Sequence, residues 1–333
     1  MRIRYTQLKL HPNVLHSLTG LRPGEFEALV KDVRPLFKEA EHKRLTDNRP
    51  DRLRLRAVGG GHPFALPFEE QILLTVMWLR LYPTHEVLGF LFGVTHCTVS
   101  RLLRRVVPVL AQAGKDTMRM PDPGRKHRRH FDELLLELPE LAVVIDSFEQ
   151  RVQRPQGPDP TNRKSKKEAD SWYSGKKKMH TIKSQVGVDV HSGSICDVSE
   201  SVRGPTADIT LLRQSRLMER LPQGVGGEGD LAYVGIDKLH PQGLGATPRR
   251  KPRGADKHRP RGHERVRPPQ DRAYNRAFAK RRIIVENGLC RMRSYQAITQ
   301  TDRHHRELHT ERTQAIAGLV NRKMQARLPF LFN

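Results

Sequence analysis

The chain has 333 residues, with 60 Lys and Arg against 36 Asp and Glu, a formal charge of +24. That length accommodates two domains, or one large domain with an appendage. The charge draws the chain to polyanions, nucleic acid first among them, with a basic ribosome-associated or membrane-surface protein as the alternative on composition alone. The three cysteines (Cys97, Cys196, Cys290) lack C-x-x-C spacing, which argues against a zinc module or a disulfide framework. No apolar run approaches the roughly 18–20 residues of a membrane span, and the N-terminal segment lacks the apolar region of a signal peptide. A reducing cytoplasm is the expected compartment.

The first 110 residues read as helical. In FEALVKDVRPLF the apolar positions Phe26, Leu29, Val30, Val33 and Phe37 form a helical stripe. Residues 45–63 are polar and arginine-rich and end in a structure-breaking GGGHP. Pro67, Glu69 and Glu70 then open a second helix with Ile72, Leu73, Val76 and Met77 on its buried face. The segment 84–107 (THEVLGFLFGVTHCTVSRLLRRVV) has the shape of a helix-turn-helix. Val87, Leu88 and Leu91 lie on a short helix, Gly93 supplies a left-handed turn, Val94 is buried, and Thr95 caps a helix carrying Thr98, Val99, Leu102 and Leu103. Thr95, His96, Cys97, Ser100 and Arg101 would then face outward toward DNA; an ordinary helical hairpin in a core is the alternative.

Residues 112–130, with PDPG and RKHRR, mark a boundary, after which the apolar period changes from helical to alternating. Leu141–Phe148 reads as a strand, and 153–178 as a Lys/Arg/Pro-rich loop, mobile or ordered by a ligand. HTIKSQVGVDV and SICDVSESV read as a hairpin turning at HSG, residues 206–220 as a helix, and 222–236 as a strand ending near Asp230. Residues 247–269 read as a basic loop. Helical periodicity returns over 271–295 and 305–327, the latter with Ala315, Ile316, Leu319 and Met324.

Three acids stand in apolar or glycine-rich surroundings: Asp146 after LAVVI, Asp230 in GVGGEGDLAY, and Glu286 in RRIIVENGLCRMRSY. A carboxylate beside apolar residues is costly unless a cation offsets it. Singly, Asp146 could be a strand-end turn residue, Asp230 a Gly-Asp turn, and Glu286 a structural ion pair with Arg282 and Arg293 on its own helical stripe. Together, on so basic a chain, they point to a shared divalent-metal site acting on phosphate. Two Mg²⁺ ions, about 3.5–4 Å apart, can activate an attacking oxygen and stabilise a leaving one, and Mg²⁺ takes hard oxygen ligands. Lys and Arg nearby would position the DNA backbone.

These ordered motifs resemble the bacterial insertion-sequence transposases of the DDE superfamily, of the insertion-sequence-five type related to Harbinger transposases. The resemblance runs over roughly 20–325, through YPTHEVLGFLFGVTHCTVSRLL, VVIDSFEQRVQRP, YSGKKKMHTIKSQVGVD, GDLAYVGI and QDRAYNRAFAKRRIIVENGLCRMRSY. It implies an α/β fold, a ribonuclease-H-like mixed sheet flanked by helices, preceded by an all-α helix-turn-helix domain. The implied division is a DNA-binding domain over 1–120, a basic linker over 121–140 and a DDE catalytic domain over 141–333.

In this resemblance Asp146, Asp230 and Glu286 match the catalytic metal ligands, Asp146 on the first strand, Asp230 at the end of the fourth and Glu286 on a following helix. Mg²⁺ is the implied cofactor, two ions, with Mn²⁺ as a substitute. Arg282 and Arg293 match basic positions around the glutamate. Tyr173, Lys176, Lys177, His180 and Lys183 match a segment that contacts DNA. The implied reaction nicks double-stranded DNA at the element's ends and joins the freed 3′-hydroxyl to a target, carried out by a homo-oligomer on the nucleoid. Ala279 replaces a tyrosine common in the family, Arg293 stands where lysine is commoner, and 247–267 departs from the family's strand-containing equivalent. A domesticated or inactive helix-turn-helix protein, and a metal nuclease without strand transfer, are the competing readings.

Overall fold

The computed structural model describes residues 2–47, 63–122, 141–155, 163–251 and 267–329. In chain order the first elements are helices α1 (Tyr5–Leu8), α2 (Pro12–Thr19), α3 (Pro23–Asp47), α4 (Phe68–Leu81), α5 (His85–Phe92) and α6 (His96–Lys115). Strand β1 (Leu141–Arg151), α7 (Arg163–Asp170), β2 (Tyr173–Ser174), β3 (Met179–Asp189), β4 (Ile195–Val198) and β5 (Val202–Arg203) follow. The rest are α8 (Asp208–Ser215), α9 (Leu217–Arg220), β6 (Gly226–Glu228), β7 (Gly245–Ala246), α10 (Pro269–Arg293) and α11 (His309–Arg327). The chain divides into two compact units. One comprises Met1–Met118, Gln150–Pro155 and Arg291–Asn333; the other comprises Arg119–Glu149 and Gln156–Cys290. The last segment therefore groups with the N-terminal helices, whereas a reading along the chain carries the second domain through to residue 333.

In the helical unit the predicted stripe of α3 is buried, as is α4 over nearly its whole length, Glu70 to Leu79. The long α6 packs along α11. Their backbones approach so closely that a Cβ on Gly318 would fall 2.2 Å from the Gly114 Cα, so no larger residue fits that crossing. Beneath it lies a buried polar network. Arg312 donates to both carboxylate oxygens of Asp302, one at 2.8 Å. Tyr82 Oη donates to Asp302 at 3.2 Å, and the His304 backbone N–H donates at 3.0 Å. Gln150 Nε2 donates to the carbonyls of Ala297 and Gln300, so its Oε1 is left to accept from His309 Nε2 at 2.7 Å. Backbone groups that leave regular structure after α10 thus find side-chain partners, as buried polar groups must.

Burial, reinforced by the Arg312 charge, lowers the His309 pKa to about 3 and that of His304 to about 4. Both imidazoles are neutral in the fold and titrate near 6.5 once unfolded. Their contribution to stability is therefore complete above about pH 6.5 and is lost as pH falls toward these folded values. The urea midpoint of a His304→Gln, His309→Gln variant is therefore expected to fall less than that of wild type between about pH 7.5 and about pH 5, the carboxyl groups acting alike in both. An equal fall in the variant and in wild type would contradict the buried neutral imidazoles.

The second unit is built on a seven-stranded mixed sheet of order β2-β3-β1-β6-β7, with β4 and β5 also pairing β3. β1 runs parallel to β6 and β6 to β7, whereas β2, β4 and β5 run antiparallel to β3. Helices flank it on both sides. On one face Val143, Ile145, Cys196, Leu212, Leu217, Met218 and Tyr233 form the core. On the other, Gly288 of α10 sits against Val188, close enough that a Cβ would lie 3.1 Å from its methyl. This is the mixed sheet flanked by helices, behind a helical N-terminal region, that the ribonuclease-H-like resemblance implied.

Several elements differ from the expectation along the chain. The segment read as a loop over 153–178 contains α7 and β2 within its described part; β2 forms because Tyr173 and Ser174 find ladder partners in His180 and Met179. The helix over 206–220 is broken into α8 and α9 at Arg216, whose φ of 54° is left-handed. The strand over 222–236 shrinks to Gly226–Glu228, and two 3-10 turns follow. The RKHRR cluster and the basic stretch 252–266 lie outside the described residues.

Candidate nucleic-acid interface and acidic centre

Helices α5 and α6 meet at 99°, within the range of a helix-turn-helix. Thr84 and Thr95 cap them, accepting from the backbone N–H of Val87 at 3.4 Å and Thr98 at 3.2 Å, which satisfies donors that a helix start leaves free. Gly93 takes the left-handed conformation, φ 70°, that turns the chain between them. Val99, Leu102 and Leu103 are buried and Val94 is half-buried. Of the residues expected to face outward, Thr95, His96, Cys97 and Arg101 are exposed and Ser100 is half-buried. Arg104, one turn further along, shares that exposed surface.

In the sheet unit Asp146 lies inside β1, not at its end. The parallel register pairs Val144 with Glu228; Asp146 and Asp230 each follow two residues later, near enough for the charge of Asp230 to act on Asp146. Asp230 caps the short turn that follows, accepting from the Ala232 N–H at 2.8 Å. Gly229 permits this turn, because a Cβ there would fall 2.6 Å from the Tyr233 ring. Burial raises the Asp146 pKa, and the charges of Asp230 and Asp208 add to the rise; the Ser147 N–H, donating at 2.8 Å, and Arg282 oppose it. Tyr233 is raised well above the ordinary phenol range, by burial and then by Asp208, Asp146 and Asp230.

Glu286 is exposed on α10 and joins this cluster through Arg282. The Arg282 Nη2 lies 3.6 Å from Asp146 Oδ2 and 3.8 Å from Glu286 Oε1. So Asp146 and Asp230 are brought together, and Glu286 is tied in by a guanidinium. Among the described residues, no three His, Cys, Asp or Glu side chains converge as metal donors. Arg293, also exposed, stands further along the same helix. Lys176 and Lys177 are exposed in the β2–β3 turn beside Lys178, and Tyr173 packs edge-on to half-buried His180, ring centroids 5.6 Å apart.

Lys183 requires a correction. It is buried, with its Nζ 2.7 Å from the Thr206 carbonyl, 3.0 Å from Asp208 and 3.7 Å from Glu149. An ammonium so committed is not a surface contact for DNA. It neutralises Asp208, which also accepts from Ser147 Oγ at 2.7 Å, immediately after Asp146.

Sequence reasoning also passed over Glu228. This carboxylate is fully buried on β6, 3.0 Å from Arg281 Nε, and burial raises its pKa to about 7 against the opposing charges of Arg281 and Arg282. The signal was present: in GGEGD two acids stand two residues apart, the spacing that places both on one side of a strand.

A family model described as DDE superfamily endonuclease matches residues 145–321, and one described as helix-turn-helix of DDE superfamily endonuclease matches 64–116. The chain is also 26% identical over 258 residues to the "Probable transposase for insertion sequence element IS702" of Microchaete diplosiphon, covering 77% of this chain and 80% of that protein. No solved structure matches it. Among the described residues no single helix is long and apolar enough to cross a membrane. The endonuclease match begins at the strand that carries Asp146, and the other spans α4 to α6; the chain belongs to the DDE superfamily of transposase endonucleases and carries that family's helix-turn-helix.

Proposed function

We propose that this chain is an active transposase that nicks double-stranded DNA at the ends of its mobile element and transfers the freed 3′-hydroxyl to a target. The observation that carries the reading is the convergence of Asp146 and Asp230, with Glu286 linked through Arg282, at the register where β1 meets β6. The donor set fits Mg²⁺ or Mn²⁺. These are hard carboxylate oxygens, and Asp146 sits among like charges that Arg282 only partly offsets. When bound, a pair of such ions would activate the attacking oxygen and stabilise the leaving one.

The chain's own residues do the rest. Asp146, Asp230 and Glu286 hold the charge. The Ser147 N–H fixes the Asp146 carboxylate, and Asp208, Lys183 and Glu149 hold Ser147 from behind. Arg282, Arg293, Lys176 and Lys177 are the phosphate contacts. Thr95, His96, Ser100 and Arg101 read the element's ends from α6. The N-terminal domain over 1–120 would serve as the reader, 121–140 as a basic linker and 141–333 as the catalytic part. Two ends must be brought together, so the working form is a homo-oligomer on DNA, in the bacterial cytoplasm.

The test is Mg²⁺-dependent nicking and joining of DNA bearing the element's own ends. Nicks without joined product would leave a nuclease; duplex binding without nicks would leave a DNA-binding protein. Arg101→Ala is expected to weaken specific duplex binding by about tenfold or more. Wild-type affinity should fall at least about a hundredfold between 50 and 200 mM salt, as neutralised phosphates release their counterions. Fluorescence anisotropy reads both, and an affinity indifferent to salt would contradict the phosphate contacts.

A further inference from the structure

Two consecutive arginines of α10 face the acids of the sheet, and they differ in kind. Arg281 is 7% exposed and lies 3.0 Å from a Glu228 that is wholly buried. That pair is locked, because a buried guanidinium and carboxylate cannot part without leaving a desolvated charge. Arg282 is 28% exposed and stands between two carboxylates at 3.6 and 3.8 Å, beyond hydrogen-bond length for both, and its buried Nε has no hydrogen-bond partner. It is held by charge rather than by directed bonds, and its long side chain has solvent to move into.

We infer that Arg282 is the exchangeable internal cation of the acidic centre: it substitutes for the divalent metal between Asp146 and Glu286, and leaves that position when metal binds. The inference rests on the reading of Asp146 and Glu286 as metal ligands. A guanidinium stays protonated at any relevant pH, so it cannot vacate by losing its charge. It must move, and its release frees a planar donor for the phosphate the metal brings. The arrangement keeps like-charged carboxylates tolerable in the metal-free chain at the expense of metal affinity. Arg281 stays on Glu228 throughout and holds the helix in register with the sheet.

The experiment measures Mn²⁺ binding to the full chain without DNA, by loss of the free-ion electron paramagnetic resonance signal. Wild type is compared with Arg282→Gln, Arg282→Met and Asp146→Asn, each checked for an unchanged circular dichroism spectrum. Removing a competing ion pair of this exposure should tighten Mn²⁺ binding in both Arg282 variants, by about fivefold. Asp146→Asn should lose the site. Were Arg282 only a scaffold for the acids, its replacement would weaken binding, and equal or weaker affinity in both variants would overturn the inference. Should Asp146→Asn bind Mn²⁺ as wild type does, the metal-site reading itself fails, a result distinct from the first.

Discussion

Asp146→Asn is expected to lower Mg²⁺-dependent nicking of element-end DNA by about a thousandfold or more, since an amide cannot hold the charge of a metal that activates and stabilises both oxygens. Duplex affinity should change little, because the reading helix α6 is untouched. The stability of the variant makes the test sharper. The Asp146 pKa is raised in the fold, by burial first and then by Asp230 and Asp208. For a carboxyl raised above its unfolded value, stability is fullest below the unfolded pKa and falls as pH rises through the folded one. At neutral pH the ionised Asp146 therefore destabilises the chain, and the neutral amide is expected to melt at the same temperature or higher. Lost activity with retained or increased stability marks a residue kept for chemistry. A variant that both melts lower and loses activity would mark Asp146 as structural. Glu286→Gln should likewise lose nicking, with little effect on stability because the side chain is 60% exposed.

Arg312→Leu is expected to cost about 3–5 kcal/mol of unfolding free energy, the loss typical of stranding one charge of a buried pair. Both partners are about 1% exposed, and Asp302 also accepts from Tyr82 and from the His304 backbone. Burial pushes the Asp302 pKa up, but the hydrogen bonds and charge of Arg312 outweigh it and the net shift is downward. Asp302 thus adds stability above its unfolded pKa that is lost as pH falls through the folded one. Without Arg312 the upward push of burial is opposed only by the His304 N–H and His309. Asp302→Asn added to Arg312→Leu should recover part of the loss, since no buried charge is then left over. Guanidinium unfolding of the full chain measures both. A single variant within about 1 kcal/mol of wild type, the range of an exposed pair, would show that the network contributes only as a surface ion pair does.

The helix-turn-helix and the sheet were legible because their periods are local. The stripe Val99, Leu102, Leu103 and the alternation around Asp146 are set by neighbours three, four or two residues away. The cap Thr95 and the turn at Gly93 are equally local, and the structure has each in place. The break at Arg216 and the short length of β6 were not legible, since each depends on what packs against the segment. The same holds for β2, where a composition suited to a loop is overridden by ladder partners in β3.

The three acids divide along the same line. Charge, residue type and spacing on the chain sufficed to single out Asp146, Asp230 and Glu286, and to pair Glu286 with Arg282 four residues before it on one helical face. The β1–β6 register was needed to set Asp230 beside Asp146 and to disclose Glu228 with its partner Arg281. Tertiary packing also turned Lys183 inward to Asp208 and Glu149, and grouped α11 with α6 in the helical unit. A side chain's type and period are properties of its own segment, whereas its burial and its charge partners belong to segments far away in sequence. The candidate acids were therefore written in the chain itself, and which cations restrain them was decided only by the fold.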